Sequence, residues 1–357
     1  MPVTETRPEL LTEADRPVVG GDFALAQLED GRLIVGTGPF QHSCEPAEEG
    51  VSFYHNTFDL SDPRPWRIPE SWDELGSVDE LAASGRVSYP ALEWEVPSKE
   101  SFAEAFARVE EALSSGELVK AVPAVTACAN FDGGGEGLAQ ALVSAARNPG
   151  SSAWLYGFRE GGRGFVGLTP ERLFTMDTER LETMALAGTA VPADGESFEK
   201  DAKEREEHDL VVQALRRRLA TFGEVKEGGR EILDVGGMIH FLTKFEVRLQ
   251  VHPSIHDVID ALHPTPAVGA VPRNAESLKA LLEMRKSLGV PTEFGAPFGV
   301  KYGERFEASV AIRGVFWRDG RVFVPAGCGI VAASQMESEW QELDLKRHWV
   351  MSAFGLE

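Results

Sequence analysis

An α+β fold is what the sequence predicts, on three observations. Short apolar runs come in pairs separated by turns, the spacing of antiparallel hairpins and not of a doubly wound parallel sheet. Amphipathic helical periods stand apart from these pairs, near residues 101, 197 and 338. Finally, 43% of the 357 residues are hydrophobic, enough to bury one large core or two moderate ones.

The elements follow in order. Residues 1–97 are rich in Pro, Gly, Asp and Glu between short apolar runs such as "GRLIVGTG", and read as a strand-rich N-terminal part. A helix is expected from Ser101, where Ser101 and Glu104 make a capping box and Phe102, Phe106, Val109 and Leu113 keep one apolar face up to Gly116. The run "ELVKAVPAV" reads as a strand. The glycine-rich stretch from Asp132 to Gly137 lacks the Lys-Ser or Lys-Thr of a phosphate loop and reads as a linker. Two hairpins are expected next, "SSAWLYGF" with "RGFVGL" and "RLFTM" with "RLETMALAG". A helix capped by Ser197 should run to about Phe222, with Glu207, His208, Val211, Leu215 and Leu219 along it. A last helix from Ser338 carries Glu339, Glu342 and Lys346 at i, i+3 and i+7, one charged stripe.

No run of eighteen or more apolar residues occurs, so no membrane-spanning helix is expected. Met1 to Pro17 are polar and acidic, without the basic start and apolar core of a signal peptide, and a cytoplasmic protein is the expectation. Three widely spaced cysteines, Cys44, Cys128 and Cys328, imply neither a disulfide framework nor a zinc finger. A formal charge of −22 repels nucleic acid and anionic lipid alike, so neither is an expected partner. It repels a small anionic substrate too, and an enzyme for one needs a locally positive device, a metal ion or an arginine.

From Leu262 to Pro272 the chain reads "LHPTPAVGAVP", and "EFGAPFGV", "VAIRG", "AGCGIVAAS" and "SEWQELDLK" follow in that order. Upstream stand "LVKAVPA", "LTPERLF", "ALAGTA" and "EREEHDLVV". Together these resemble the chorismate-binding family, which includes anthranilate, aminodeoxychorismate, salicylate and isochorismate synthases. The resemblance covers residues 98 to 355. It implies large antiparallel sheets packed face to face with helices outside, residues 98–357 forming one intertwined catalytic core with residues 1–97 packed on it.

Turning chorismate into isochorismate adds water at ring C2, expels the C4 hydroxyl and shifts the ring double bonds. Such a reaction needs a base, an acid and anchors for two carboxylates. The resemblance implies Lys120 as the base that activates water; its apolar run, Leu118 to Val125, would favour the neutral amine. Glu171 is implied as the general acid, because a carboxyl buried in a cleft keeps its proton to higher pH. Mg2+ takes oxygen ligands, and Glu207 on one helix with Glu342 and Glu339 on the other are its implied holders. Arg313 is placed to grip the enolpyruvyl carboxylate with two parallel hydrogen bonds. Gly327 and Gly329 let backbone N–H groups approach substrate oxygens. Lys346 adds a cation, Gly188 and Thr189 line the ring pocket, and His263 is the implied ring-contacting histidine.

Within the family, a lysine before the Gly-Thr pair marks the aminodeoxychorismate enzymes, and here that position is Ala187, which favours water as nucleophile. After the pair Glu207 and His208 the chain reads "DLVVQALRRRL", which departs from the Asp-Leu-x-Arg-Asn-Asp run of the amine-forming members. Phe294 stands where salicylate synthases usually show a carboxylate-binding Tyr. The resemblance therefore points to an isochorismate synthase, an isomerase serving menaquinone or siderophore synthesis. A salicylate synthase, which adds pyruvate elimination, and a degenerate chorismate-binding protein are the alternatives. No glutamine amidotransferase subunit is expected, and a monomer or homodimer is. Two departures stand out. Val125 replaces the family's usual Arg, with Pro123 interrupting the strand so that an edge or bulge is expected there, and Cys328 replaces an Ala.

Overall fold

The strand Phe23–Gln27 shows how the chain builds two layers at once. Phe23 and Leu25 enter one apolar cluster while Ala24 and Ala26 enter another, the period-two alternation of a strand buried on both faces. The same split recurs at Leu33, Ile34 and Val35, and again where Phe165 faces one way and Val166 the other. The computed structural model describes residues 20–81, 92–132, 135–146 and 152–357. The stretch Met1 to Pro17 and two residues of the glycine-rich run lie outside the described residues.

One sheet has eight strands, in the spatial order Ser71–Leu75, Leu33–Thr37, Phe23–Gln27, Trp154–Glu160, Arg163–Thr169, Gly314–Arg318, Arg321–Gly327 and Ala124–Asn130. The other has ten, with the long pair Arg180–Ala190 and Ile239–Leu249 near one end, continuing through Arg172–Met176, Arg305–Val310, Pro297–Tyr302 and Val51–His55. The pairings are antiparallel, and both expected hairpins are present. Strands from the first 75 residues hydrogen-bond to strands of the later chain in both sheets, at Phe23–Gln27 with Trp154–Glu160 and at Val51–His55 with Pro297–Tyr302. They are built into the sheets and not laid against them.

Between the two sheets lies an aromatic layer. Phe165 meets Phe298 edge-on with ring centroids 5.4 Å apart, and Phe53 stacks on Phe298 from its own sheet. Each such phenyl contributes roughly 2–3 kcal/mol by leaving water.

Helices close the outer faces. They are α1 (Lys99–Ser114), α2 (Gly135–Ala145), α3 (Gly195–Phe198), α4 (Ala202–Leu219), α5 (Ile255–Leu262), α6 (Ala275–Ser287) and α7 (Met336–Phe354). Leu138 and Leu142 of α2 and Val350 and Phe354 of α7 cover the eight-stranded sheet. Val211, Leu215 and Leu219 of α4 cover the ten-stranded one. Among the described residues no helix is long and apolar enough to cross a membrane, and the three cysteines are unpaired.

Several boundaries differ from expectation. Helix α1 is capped by Ser98, whose hydroxyl accepts the Ser101 N–H at 3.1 Å, so Ser101 lies inside the first turn and is not the cap. The helix expected from Ser197 is two pieces. Ser197 donates to the Asp194 carbonyl within the short α3, and α4 begins at the Asp201 cap. The glycine-rich run is only partly a linker, since α2 starts at Gly135. The lysine strand is broken at Val122 and Pro123, and its second part, Ala124–Asn130, is the sheet edge, in keeping with the expectation at Pro123.

Candidate active site

The broken edge strand frees a lysine for the interior. Proline has no N–H for the ladder, so Lys120–Ala121 leaves the sheet and pairs with Ala270–Val271 instead. Lys120 is fully buried. Its Nζ donates to the Pro266 carbonyl at 2.8 Å and pairs with Glu207 Oε1 at 3.1 Å. Gly329 permits this approach: a Cβ there would overlap the Glu207 carboxylate and crowd the Lys120 stem.

Glu207 lines a cleft between the sheets together with Glu171, Gly188, Thr189, Phe294, Arg313, Gly327, Gly329 and Lys346. The cleft thus gathers most of the residues expected from the sequence. Lys120 stands directly behind its wall, reaching it through Glu207, and Glu342 through Lys346. Glu171 lies just before the strand Arg172–Met176, and its Oε1 accepts a hydrogen bond from the Thr265 hydroxyl at 2.8 Å. Burial pushes its carboxyl up to about 7, against the opposing pull of that bond and of the Lys120 and Lys346 charges.

The Gly188–Thr189 corner is a register slip. Pairing of Arg180–Ala190 with Ile239–Leu249 shifts between Ala187 and Ala190, and Gly188 takes φ +77 there, a conformation that suits glycine. Its carbonyl accepts from His240 Nδ1 at 2.7 Å, and the Thr189 N–H donates to Glu204 Oε2 at 2.8 Å. Arg313 is in the left-handed region as well, at φ +55, which costs an L-residue about 1–2 kcal/mol. Its Nη2 donates to His240 Nε2 at 3.3 Å. His240 therefore donates from Nδ1 and accepts at Nε2, the pattern of a neutral ring. Burial, with the Arg313 charge beside it, lowers it to about 3.

The carboxylates of α4 and α7 meet around one ammonium. Lys203 Nζ lies 3.0 Å from Glu204 Oε1, 3.5 Å from Glu207 Oε2 and 3.0 Å from Glu339 Oε1. Burial opposes the Lys203 charge, but Glu207, Glu342, Glu339 and Glu204 outweigh it and hold the ammonium far above its ordinary range. Glu342 pairs with Lys346, whose Nζ also donates to the Gly327 carbonyl at 2.9 Å. Burial and the Glu342 charge raise Glu339, and its Oε2 is buried without a partner. Among the described residues no three His, Cys, Asp or Glu converge as a finished metal cage. The donor set is nonetheless all oxygen, surplus in negative charge and drawn together by an ammonium, which fits a hard divalent cation such as Mg2+.

One expected residue is elsewhere. His263 is turned away from the cleft: its ring Nε2 bonds to the Phe58 carbonyl at 2.7 Å and packs edge-on against the Phe58 ring. His240 is the histidine that lines the cleft. His208, next to Glu207, faces a separate groove on the other side of α4 and bonds Thr243. Sequence reading also misses Lys203, Thr265 and Arg285. Lys203 has a signal, since it stands four residues before Glu207 on one helix. Thr265 lies within the "LHPTPAVGAVP" run, yet that reading assigns it no role, and Arg285 reaches the site from α6 with no local pattern to mark it.

Comparison with known proteins bears on this geometry. The family described as chorismate binding enzyme matches residues 68–355. The chain is 32% identical over 327 residues to the salicylate biosynthesis isochorismate synthase of Pseudomonas aeruginosa, covering 86% of this chain and 63% of that protein. It is 28% identical over 321 residues to the isochorismate synthase EntC of Escherichia coli, covering 84% of this chain and 80% of EntC. The chain thus spans somewhat less than two thirds of the Pseudomonas relative's length. The solved structure of MenF, the menaquinone-specific isochorismate synthase of Escherichia coli, superposes with a TM-score of 0.76 at 20% identity, over 94% of this chain and 88% of that one. At that identity the likeness establishes the fold.

The contact at Gly329 generates a prediction. In Gly329→Ala the new methyl displaces the Glu207 carboxylate from Lys120, and a disturbed buried pair costs about 3 kcal/mol. Calorimetric melting should fall accordingly with the far-UV circular dichroism unchanged; an unaltered melting temperature would mean that the pair yields freely.

Proposed function

The chain belongs to the chorismate-binding enzyme family, and from that premise we propose that it is a Mg2+-dependent isochorismate synthase, adding water at C2 of chorismate and releasing the C4 hydroxyl. The observation that carries this reading is a buried amine, Lys120, held against a cleft by Glu207, with a buried, readily protonated carboxyl, Glu171, lining the same cleft.

In the proposed reaction Lys120 reacts from its uncharged amine form, its two N–H bonds directed at Pro266 and Glu207, and takes a proton from water as the water oxygen bonds to C2. The ring double bonds shift, the C4–O bond breaks, and Glu171 gives its proton to the departing oxygen. Water enters and water's equivalent leaves, so the reaction is an isomerisation. Lys120 is steered by its bonds to Pro266 and Glu207, and the Thr265 bond orients the Glu171 carboxyl. Glu207 and Glu342, with Glu339 beside them, would hold Mg2+, which when bound supplies positive charge opposite the ring carboxylate. Arg313, buried beside His240 with no carboxylate in ion-pairing distance among the described residues, is suited to the enolpyruvyl carboxylate. Ala187 at the cleft supports water over an amine nucleophile, because it offers no lysine.

Incubation with chorismate and Mg2+ tests the reading. Isochorismate alone is the expected product by chromatography. Salicylate with pyruvate would move the chain to the salicylate branch, anthranilate in the presence of ammonia would remove water as nucleophile, and absence of turnover would leave a binding protein.

Glu171 sets a pH dependence. An acid with its pKa raised to about 7 carries the needed proton below that value and loses it as pH rises through it. The rate should fall about tenfold per pH unit on the alkaline side, and Glu171→Gln should lower kcat by about 100- to 10,000-fold near neutral pH. A profile flat across the neutral and mildly alkaline range would remove Glu171 as the acid.

Lys203→Met tests the ion. Without the ammonium, Glu204 and Glu339 lose their paired cation and Glu207 keeps only Lys120, at a cost of about 3 kcal/mol. The variant should melt well below the unaltered protein in chelator and recover in millimolar Mg2+. Failure of Mg2+ to restore it would place the ion away from these carboxylates.

A further inference from the structure

Five arginines are buried among the described residues: Arg67, Arg172, Arg285, Arg313 and Arg347. Arg67 pairs with Asp62, Arg172 with Glu307 and Arg347 with Asp344. The two without a carboxylate in ion-pairing distance, Arg285 and Arg313, both line the cleft. A guanidinium withdrawn from water without a counter-charge is unfavourable, so two such groups at one cavity point to an anion that arrives from outside.

Arg285 is the one that the proposed reaction leaves without a role. It projects from α6, is 4% exposed, and lies against two phenyl rings, with Cζ 3.9 Å from the Phe58 ring centroid and 5.5 Å from that of Phe294. These rings attract the cation through their faces without neutralising it. Its Nη2 donates to the Phe294 carbonyl, and among the described residues that is the guanidinium's sole hydrogen bond. Burial alone drags the guanidinium down to about 9, with no acid pulling it back. The rest of its planar fork is available to a carboxylate.

We propose that Arg285 is a second anion anchor of the cleft, which together with Arg313 holds the enolpyruvyl carboxylate of the dianionic substrate at a wall where Phe294 itself has no donor. The assignment rests on the isochorismate synthase reading for the identity of the dianion. The contact is made to substrate and transition state alike, so it acts on KM and leaves kcat nearly unchanged.

The test compares Arg285→Met and Arg285→Lys with the unaltered protein, in turnover of chorismate and in binding of two aromatic probes. 3-(1-Carboxyvinyloxy)benzoate carries both carboxylates; 3-methoxybenzoate keeps only the one on the ring. In Arg285→Met the KM for chorismate and the Kd for the two-carboxylate probe should rise roughly 10- to 100-fold, kcat should be nearly unchanged, and the Kd for the one-carboxylate probe should stay put. Arg285→Lys, which keeps the charge but loses the fork, should fall between. The melting temperature of Arg285→Met should be no lower than that of the unaltered protein, because an uncompensated buried charge is removed.

Equal weakening of both probes, or no change in either, overturns the anchor. So does failure of both variants to fold, which would give Arg285 a structural role. If the unaltered protein makes no isochorismate while the two-carboxylate probe still depends on Arg285, the anchor stands and the proposed reaction falls. If turnover is normal and Arg285→Met behaves as the unaltered protein, the anchor alone falls.

Discussion

Burying many charges in one place is costly unless most of them are answered, and the acidic side of the cleft is organised by that constraint. Lys203 bridges two acids of α4 to one of α7, Lys120 answers Glu207 from a broken strand, and Lys346 answers Glu342. The helices are held in mutual position by these pairs as much as by apolar contact. Each pair taken singly is close to neutral for stability, since the desolvation of two ions offsets most of their attraction. Removing one member is another matter, and this makes the cluster unforgiving of change. It also leaves the protein with polar machinery already assembled before any ligand enters.

The sheets make such an arrangement tenable. Their facing sides are tied by an aromatic layer that includes Phe53, Phe165 and Phe298, and their outer sides by helices. A frame of that rigidity can hold two unfavourable features at the cleft, the left-handed Arg313 and the register slip at Gly188. Both direct groups inward: a guanidinium in one case, a carbonyl that fixes the His240 tautomer in the other.

Much of this is legible in the sequence, and the legible part has a common cause. Hairpins such as Trp154–Glu160 with Arg163–Thr169 announce themselves because pairing and turn are adjacent in the chain. Helix interiors are readable by period, but their ends are not, since Ser98 against Ser101 and Asp201 against Ser197 are choices among neighbouring cap residues that tertiary packing decides. Ordered motifs locate Glu171 at the cleft, Lys120 behind its wall and the acidic stripe of α7. They fail at His263, where a histidine beside a proline serves the Phe58 backbone. They are silent about His240 and Arg285, and although Thr265 sits within one of them, its bond to Glu171 joins residues 94 apart and leaves no local trace.

The N-terminal strands carry a consequence for biosynthesis. Val51–His55 leaves the ribosome well ahead of its neighbour in the sheet, Pro297–Tyr302, which follows only after roughly 240 more residues. Phe23–Gln27 likewise waits for Trp154–Glu160. Until then the nascent chain exposes apolar edges with nothing to pair, the kind of surface that chaperones shield. Completion of the cleft is thereby deferred until α7 has emerged and brings Glu339 and Glu342 into place.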